Sequence, residues 1–254
     1  MKRIRGFSLI ELAIVLVIVT LLIGGLAVPL TAQIQARRIA ETKKTLEEAR
    51  EAIVGYAMTH TVDHDGDADT PRRPYLPCPD GDGDGIEDRI AGVCTQPMAL
   101  QMGWFPWVTL GTAEKDAWGN RLRYATHNDL TRAVEINPSS GFHSDSAPLP
   151  NDPRWNQVCS NQNCPNVDVA ANVPVVLISH GPNGWGARNI SGSTLANPTG
   201  ANELTNLDWD NLFVSRTPTQ PGDANGEFDD LVTWLSFNVL INRVCPAMGG
   251  CPPP

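Results

Sequence analysis

Lysine and arginine are scarce after Arg50, where the adjacent pair Arg72-Arg73 is the only basic cluster. The 254 residues carry a formal charge of −9, and a body that acidic repels a phosphate backbone, which disfavours direct nucleic-acid binding. Recognisable catalytic patterns are missing too. His60, His64, His127, His143 and His180 are scattered, and no G-x-S-x-G, H-E-x-x-H, P-loop or G-x-G-x-x-G is present. None of the six cysteines forms a C-x-x-C, and no thiol cluster stands beside a histidine pair at zinc spacing. Acidic pairs sit in glycine-rich turns suited to metal rather than to general acid-base work. The expectation is a protein that is not an enzyme, with an exported, membrane-anchored enzyme as the remote alternative.

Charge is also nearly absent from residues 7–23, where Glu11 is the one ionisable side chain. Ahead of it, Met1-Lys2-Arg3-Ile4-Arg5 has the positive excess that holds a segment on the cytoplasmic side of a membrane. An almost unbroken apolar run continues to Leu30. A lone carboxylate near hydrocarbon costs a few kcal/mol, so a partner must compensate for it. An ordinary secretory signal would place Glu11 inside its apolar core, and a plain single-pass anchor would leave it merely tolerated near the interface.

The stretch Gly6-Phe7-Ser8-Leu9-Ile10-Glu11-Leu12, with its basic leader and apolar span, resembles the class III signal of type IV pilins and type II secretion pseudopilins. The resemblance implies cleavage after Gly6 by a prepilin peptidase, N-methylation of Phe7, and pairing of Glu11 with the N-terminal amine of a neighbouring subunit. A cation brought to an intramembrane carboxylate removes most of its burial penalty, so the physics agrees. Loss of residues 1–6 takes the formal charge from −9 to −12 before the new terminus is counted.

Six cysteines in a chain that begins with an export signal point to disulfides formed in an oxidising compartment. They fall into three near pairs, Cys78 with Cys94, Cys159 with Cys164, and Cys245 with Cys251. Six cysteines allow 15 connectivities, so spacing alone leaves the pairing open.

From Phe7 to the high fifties one long helix of two characters is expected. At about 1.5 Å per residue, 7–30 spans roughly 36 Å, enough to cross a bilayer. Gly24, Gly25 and Pro29 predict a kink or local melting there. Over 31–58 the helix is amphipathic: Ile39, Leu46 and Ile53 recur every seven residues, with Ala49 and Tyr56 beside them. Lys43 and Lys44 stand four residues before Glu47 and Glu48, favourable pairings on a helix surface. The stripe needs a sheet to cover it; a free-standing coiled coil is the alternative, but the heptad fades.

After Met58 aspartate and glycine dominate, first in His64-Asp65-Gly66-Asp67-Ala68-Asp69 and then from Asp80 to Asp88. Carboxylates at Asp80, Asp82, Asp84 and Asp88 with Gly85 match positions 1, 3, 5, 9 and 6 of a calcium loop, in which alternate side chains on a tight turn converge on one hard cation. Ala91 stands where the closing glutamate belongs, so a full EF-hand is not present and a plain acidic loop is the alternative. A Cys78–Cys94 bridge would close this loop. Trp104 and Trp107 read as packing under it, with sugar or partner binding as the sharper alternative, and Val108-Thr109-Leu110 reads as a strand.

Asp116-Ala117-Trp118-Gly119-Asn120 leads into a half-buried strand over Arg121–Ala125. It looks like the Asp-Pro-Trp-Gly turn of major pseudopilins, with alanine in place of proline. Val173–Ser179 reads as a central strand interrupted by Pro174, and Leu231–Phe237 as a strand followed by a helical turn. In the proteins this chain resembles, a comparable strand leads to a calcium-holding loop near the C-terminus. The corresponding candidate ligands here are Asp223, Asn225, Asp229 and Asp230.

The expected architecture is an α+β, pilin-like fold: leader 1–6, transmembrane and assembly helix 7–30, amphipathic continuation 31–58, and a head over 59–254 built on a small antiparallel sheet with long loops. The expected role is a structural subunit of a type IV pilus or secretion pseudopilus, or a minor, ligand-binding tip pilin. Implied partners are identical or related subunits, prepilin peptidase, an inner-membrane assembly platform and the lipid bilayer, with Ca²⁺ as the cofactor. The head would face the periplasm or the outside.

Overall fold

The computed structural model describes residues 8–95, 101–142, 155–208, 210–224 and 226–248, with the side chains of 24–29 and 246–248 outside that description. Two compact units emerge, Met1–Ala40 and Glu41–Pro254.

Helix α1, Leu9–Thr59, is continuous in its backbone, so the expected melting around Gly24–Pro29 does not interrupt it. Ser8 starts it. Its N–H and hydroxyl both donate to Glu11 Oε2 at 2.8 Å, and the Glu11 N–H returns a bond to Ser8 Oγ at 3.3 Å. This reciprocal capping box satisfies amides that the first helical turn leaves without acceptors. Every large apolar side chain described from Leu9 to Ile23 is exposed. Among the described residues no helix is long and apolar enough to cross a membrane.

The second unit begins inside α1, because the stripe from Leu46 onward is covered. Leu46, Ala49, Ile53, Val54 and Ala57 are buried against Leu122, Tyr124, Val175, Leu177 and Leu235. Lys44 pairs with Glu48 at 3.2 Å, whereas Glu47 pairs with Arg50 at 2.7 Å.

Beyond the helix the elements are short. Strands β1 (Thr61–Val62) and β2 (Arg73–Pro74) pair, as do β3 (Arg89–Ile90) and β4 (Val93–Cys94). Then come β5 (Gln101–Trp104), α2 (Trp107–Leu110), β6 (Arg123–Thr126) and α3 (Asn128–Thr131). The remainder is β7 (Asn156–Cys159), β8 (Ala170–Val173), β9 (Val175–Ser179), α4 (Ala201–Thr205), β10 (Leu212–Val214), β11 (Leu231–Leu235) and α5 (Phe237–Met248).

The central sheet has the order β11-β9-β6-β5, antiparallel throughout. One face lies on α1 and α5. The other packs on a second sheet of order β10-β7-β8, through Met102, Ala125, Val176 and Ile178 against Val158, Val173 and Phe213. The β7–β10 pair is parallel, which the single antiparallel sheet of the sequence reading did not include. Val108-Thr109-Leu110, read as a strand, lies in helix α2, where Gly85 accepts the Val108 N–H and draws the chain into a turn. Strand β6 is buried along its whole length rather than half-buried, because both of its faces are covered.

Cys78 is bonded to Cys94 and Cys159 to Cys164. Cys245 is also in a disulfide, and Cys251 lies outside the described residues.

Candidate functional site

Two clusters of carboxylates converge in the second unit. The first is the loop after Cys78, where Asp80, Asp82 and Asp84 bring oxygens within 4.8 Å of one another. Asp80 is fully buried. Its two oxygens accept the N–H groups of Gly83 at 2.5 Å and Gly85 at 2.8 Å, and burial still raises its pKa against these bonds. Asp82 and Asp84 lie outermost and each caps the amide two residues on, Asp84 N–H at 3.1 Å and Ile86 N–H at 2.7 Å. Asp88 is not in this convergence, since its carboxylate turns back to accept the Gly81 N–H at 2.7 Å.

Two guanidiniums brace the same loop from outside its sequence. Arg121 donates to the Gly83 carbonyl, and Arg188 donates to the Asp82 carbonyl at 2.6 Å. Arg121 also stacks on Trp107, whose ring lies 4.4 Å away. Gly85 has φ +87°, and a Cβ there would sit 2.4 Å from the Trp107 ring, so only glycine allows the loop to close on that indole. Trp104 and Trp107 are both half-buried, in keeping with packing beneath the loop.

The second cluster joins Glu203, Asp229 and Asp230, again with oxygens within 4.8 Å. Glu203 Oε1 accepts the Asp229 N–H at 2.8 Å and the Asn183 side-chain amide at 3.3 Å. Asp229 Oδ2 accepts the Asn183 N–H at 3.1 Å, but Asp229 Oδ1 is buried with no hydrogen-bond partner. Asp230 is held by the Asn206 amide at 2.7 Å and lies 3.2 Å from His180 Nδ1. Gly181, at φ +59°, leaves the room this packing needs, because a Cβ there would lie 2.2 Å from the Asp229 carbonyl.

Burial comes first in moving both acids. Glu203 is pushed up to about 7, with the Asp230 charge adding to the effect. Asp229 is also pushed up to about 7, with Glu203 and Asp230 adding and the Asn183 N–H opposing. Three converging carboxyls, one with an oxygen that no donor reaches, offer the oxygen ligands that a hard cation takes. The residues present can hold a metal ion.

The structure brings together Asp229 and Asp230, two of the candidate ligands expected from the sequence. Asp223 is not part of the cluster, and Asn225 lies outside the described residues. Glu203 was missed. It belongs to α4, and no local spacing ties it to Asp229, 26 positions away. A third grouping, Cys159 and Cys164 near Asp168, offers no thiolates because the two sulfurs are bonded to each other.

The Asp116 turn takes the form expected of it. Asp116 Oδ1 accepts the N–H groups of Trp118 and Asn120, both at 2.9 Å, and Oδ2 accepts the Ser179 hydroxyl at 2.7 Å. Ala117 N–H donates to Thr42 Oγ1 at 3.2 Å, tying the turn to α1. A proline at position 117 would lack this donor.

Residues 1–27 match the family model described as the prokaryotic N-terminal methylation motif. This is the class III signal of type IV pilins and pseudopilins, and it is typical of membrane-anchored pilins. Gly6 and Phe7, expected from the sequence to flank the cleavage point, lie outside the described residues. Among curated proteins and among solved structures, none matches the chain.

Proposed function

We propose that this chain is the precursor of a filament subunit, cut after Gly6, N-methylated at Phe7 and assembled through residues 7–30. One observation carries the reading: the methylation motif, residues 1–27, takes in the start of a capped helix whose large apolar side chains, Leu9 to Ile23, are all exposed. An apolar surface of that size demands lipid or other helices. Residues 7–30 cross the inner membrane before assembly, and the head faces the periplasm. In the filament, Glu11 meets the methylated amine of a neighbouring copy.

The role is structural, not catalytic. The Asp116 turn and the acidic C-terminal loop favour a secretion pseudopilus over a type IV pilus. The two carboxylate clusters bind Ca²⁺, the second more tightly because Asp229 Oδ1 has no other partner. Glu203, Asp229 and Asp230 would hold the ion, which ties α4 to the approach of β11.

The deciding experiment uses Glu11→Ala in cells that assemble the filament. Membrane insertion is expected to persist while incorporation is lost, and mass spectrometry of wild-type subunits should find an N-methylated Phe7 at the terminus. Filaments of undiminished yield from the variant, or trimming at another position, would overturn the proposal.

A further inference from the structure

Charge is unevenly divided along this chain. Residues 31–46 hold Arg37, Arg38, Lys43 and Lys44 against Glu41 alone, a net +3. Residues 59–254 hold 11 lysines and arginines against 23 aspartates and glutamates, a net −12. The basic run is open. Arg37, Arg38, Lys43 and Lys44 are all exposed, and of the four only Lys44 is in an ion pair among the described residues, with Glu48 at 3.2 Å. Glu47, the acid four residues beyond Lys43, is drawn to Arg50 at 2.7 Å instead.

The opposite charge is concentrated in Asp65-Gly66-Asp67-Ala68-Asp69, a loop that neither carboxylate cluster uses. All five residues are exposed. The loop is held by its own turns: Asp63 Oδ1 accepts the Gly66 N–H at 2.8 Å, Asp65 Oδ1 the Asp67 N–H at 3.1 Å, and Asp67 Oδ1 the Asp69 N–H at 3.0 Å. Asp65 has His64 beside it at 3.5 Å, but among the described residues no lysine or arginine pairs with these three aspartates. Arg72, three residues further on, is committed to Glu135 at 3.0 Å.

We infer that the basic run of one copy receives the 65–69 loop of a second copy. The inference rests on the filament reading above and names a contact between copies outside the membrane. Opposite charge chooses the occupant: a net +3 on an open helix surface and three aspartates in five residues are each left unbalanced within a single chain. Position keeps them from meeting in that chain. Lys43 lies 16 residues before the end of α1 at Thr59, about 24 Å along the helix axis, and the loop follows that end. Copies anchored in one membrane stand parallel, so loop and basic run meet when one copy is displaced along the axis relative to the next. That is a heterologous contact, which repeats from copy to copy and builds a helical polymer instead of closing as a dimer.

The test places a photo-crosslinking benzoylphenylalanine at exposed Ala68 of the full-length chain, in cells that assemble the filament. Irradiation is expected to give a two-copy adduct whose captured peptide lies within residues 31–46. Arg37→Glu/Arg38→Glu should cut that adduct about tenfold or more. Adding Asp67→Arg/Asp69→Arg to the same chain should restore it, because the two charges are then exchanged. All four positions are exposed, so the melting temperature of the head should stay close to that of the wild type in every chain. Filaments without a self-adduct, a self-adduct that maps elsewhere, capture of another protein or of lipid, or a charge-exchanged chain that regains nothing would each overturn the inference. Wild-type cells that assemble no filament would instead overturn the filament reading, and this contact with it.

Discussion

Glu203 accepts the backbone N–H of Asp229 at 2.8 Å, so a short helix in one loop and the approach to β11 hold two carboxyls side by side. Both acids keep their protons to about pH 7 in the folded chain, well above their ordinary values. A raised acid contributes its stability below the unfolded pKa, near pH 4, and loses it as pH climbs through the folded value. The metal-free head should therefore melt at progressively lower temperature as pH rises from about 4 to about 8. Glu203→Gln should flatten that slope, as read by thermal melts in chelator.

Calcium should reverse the trend, because it needs the deprotonated carboxylates. Above pH 7 the melting temperature is expected to rise with added Ca²⁺, reaching about 2.7 kcal/mol of stabilisation at a hundred times the dissociation constant. Asp229→Asn should lose most of this response, since it removes the charge of the carboxylate whose Oδ1 is buried without a partner and replaces one of its oxygens with an amide nitrogen. Titration calorimetry on both chains checks it, and equal affinity in the two would refute the ligand assignment.

Asn206 should matter far more than the most visible surface ion pair. Its buried amide donates to Asp230 and to the Val214 carbonyl and accepts the Val214 N–H at 2.7 Å. Asn206→Ala leaves three buried groups unsatisfied and is expected to cost about 3 kcal/mol or more. Arg243 meets Glu51 through two bonds of 2.6 Å, yet both side chains are nearly half exposed. Arg243→Ala should cost less than about 1 kcal/mol. Urea melts of the two variants give the comparison.

The Cys78–Cys94 bridge closes a loop across a separation of 16 residues. Replacing both cysteines is expected to cost about 3 kcal/mol, chiefly by freeing the unfolded chain. Calcium affinity of the Asp80 loop should fall with it, measurable by comparing oxidised wild type with the Cys78→Ala/Cys94→Ala variant.

Much of this architecture is periodic and was therefore readable. The stripe Leu46-Ala49-Ile53 is buried because helical spacing puts those positions on one side, and β9 is central because the unbroken apolar run Val175-Val176-Leu177-Ile178 suits a strand covered on both faces. Other features depend on partners distant along the chain. Val108-Thr109-Leu110 has strand-like composition but bends into a helical turn where Gly85 captures it. The twelve-residue helix α5 exceeds the single turn expected, because α1 and the sheet offer its apolar face a site to bury.

Amino-acid order alone settled the basic leader, the apolar run with its single acid, the helical stripe and the positions of the aspartates, all of which follow from composition and short-range spacing. Only the tertiary structure decided which carboxylates meet. It turned Asp88 back onto Gly81 and brought Glu203 of α4 to Asp229 and Asp230. Convergence through space depends on sheet register and loop closure, which no local pattern of residues encodes.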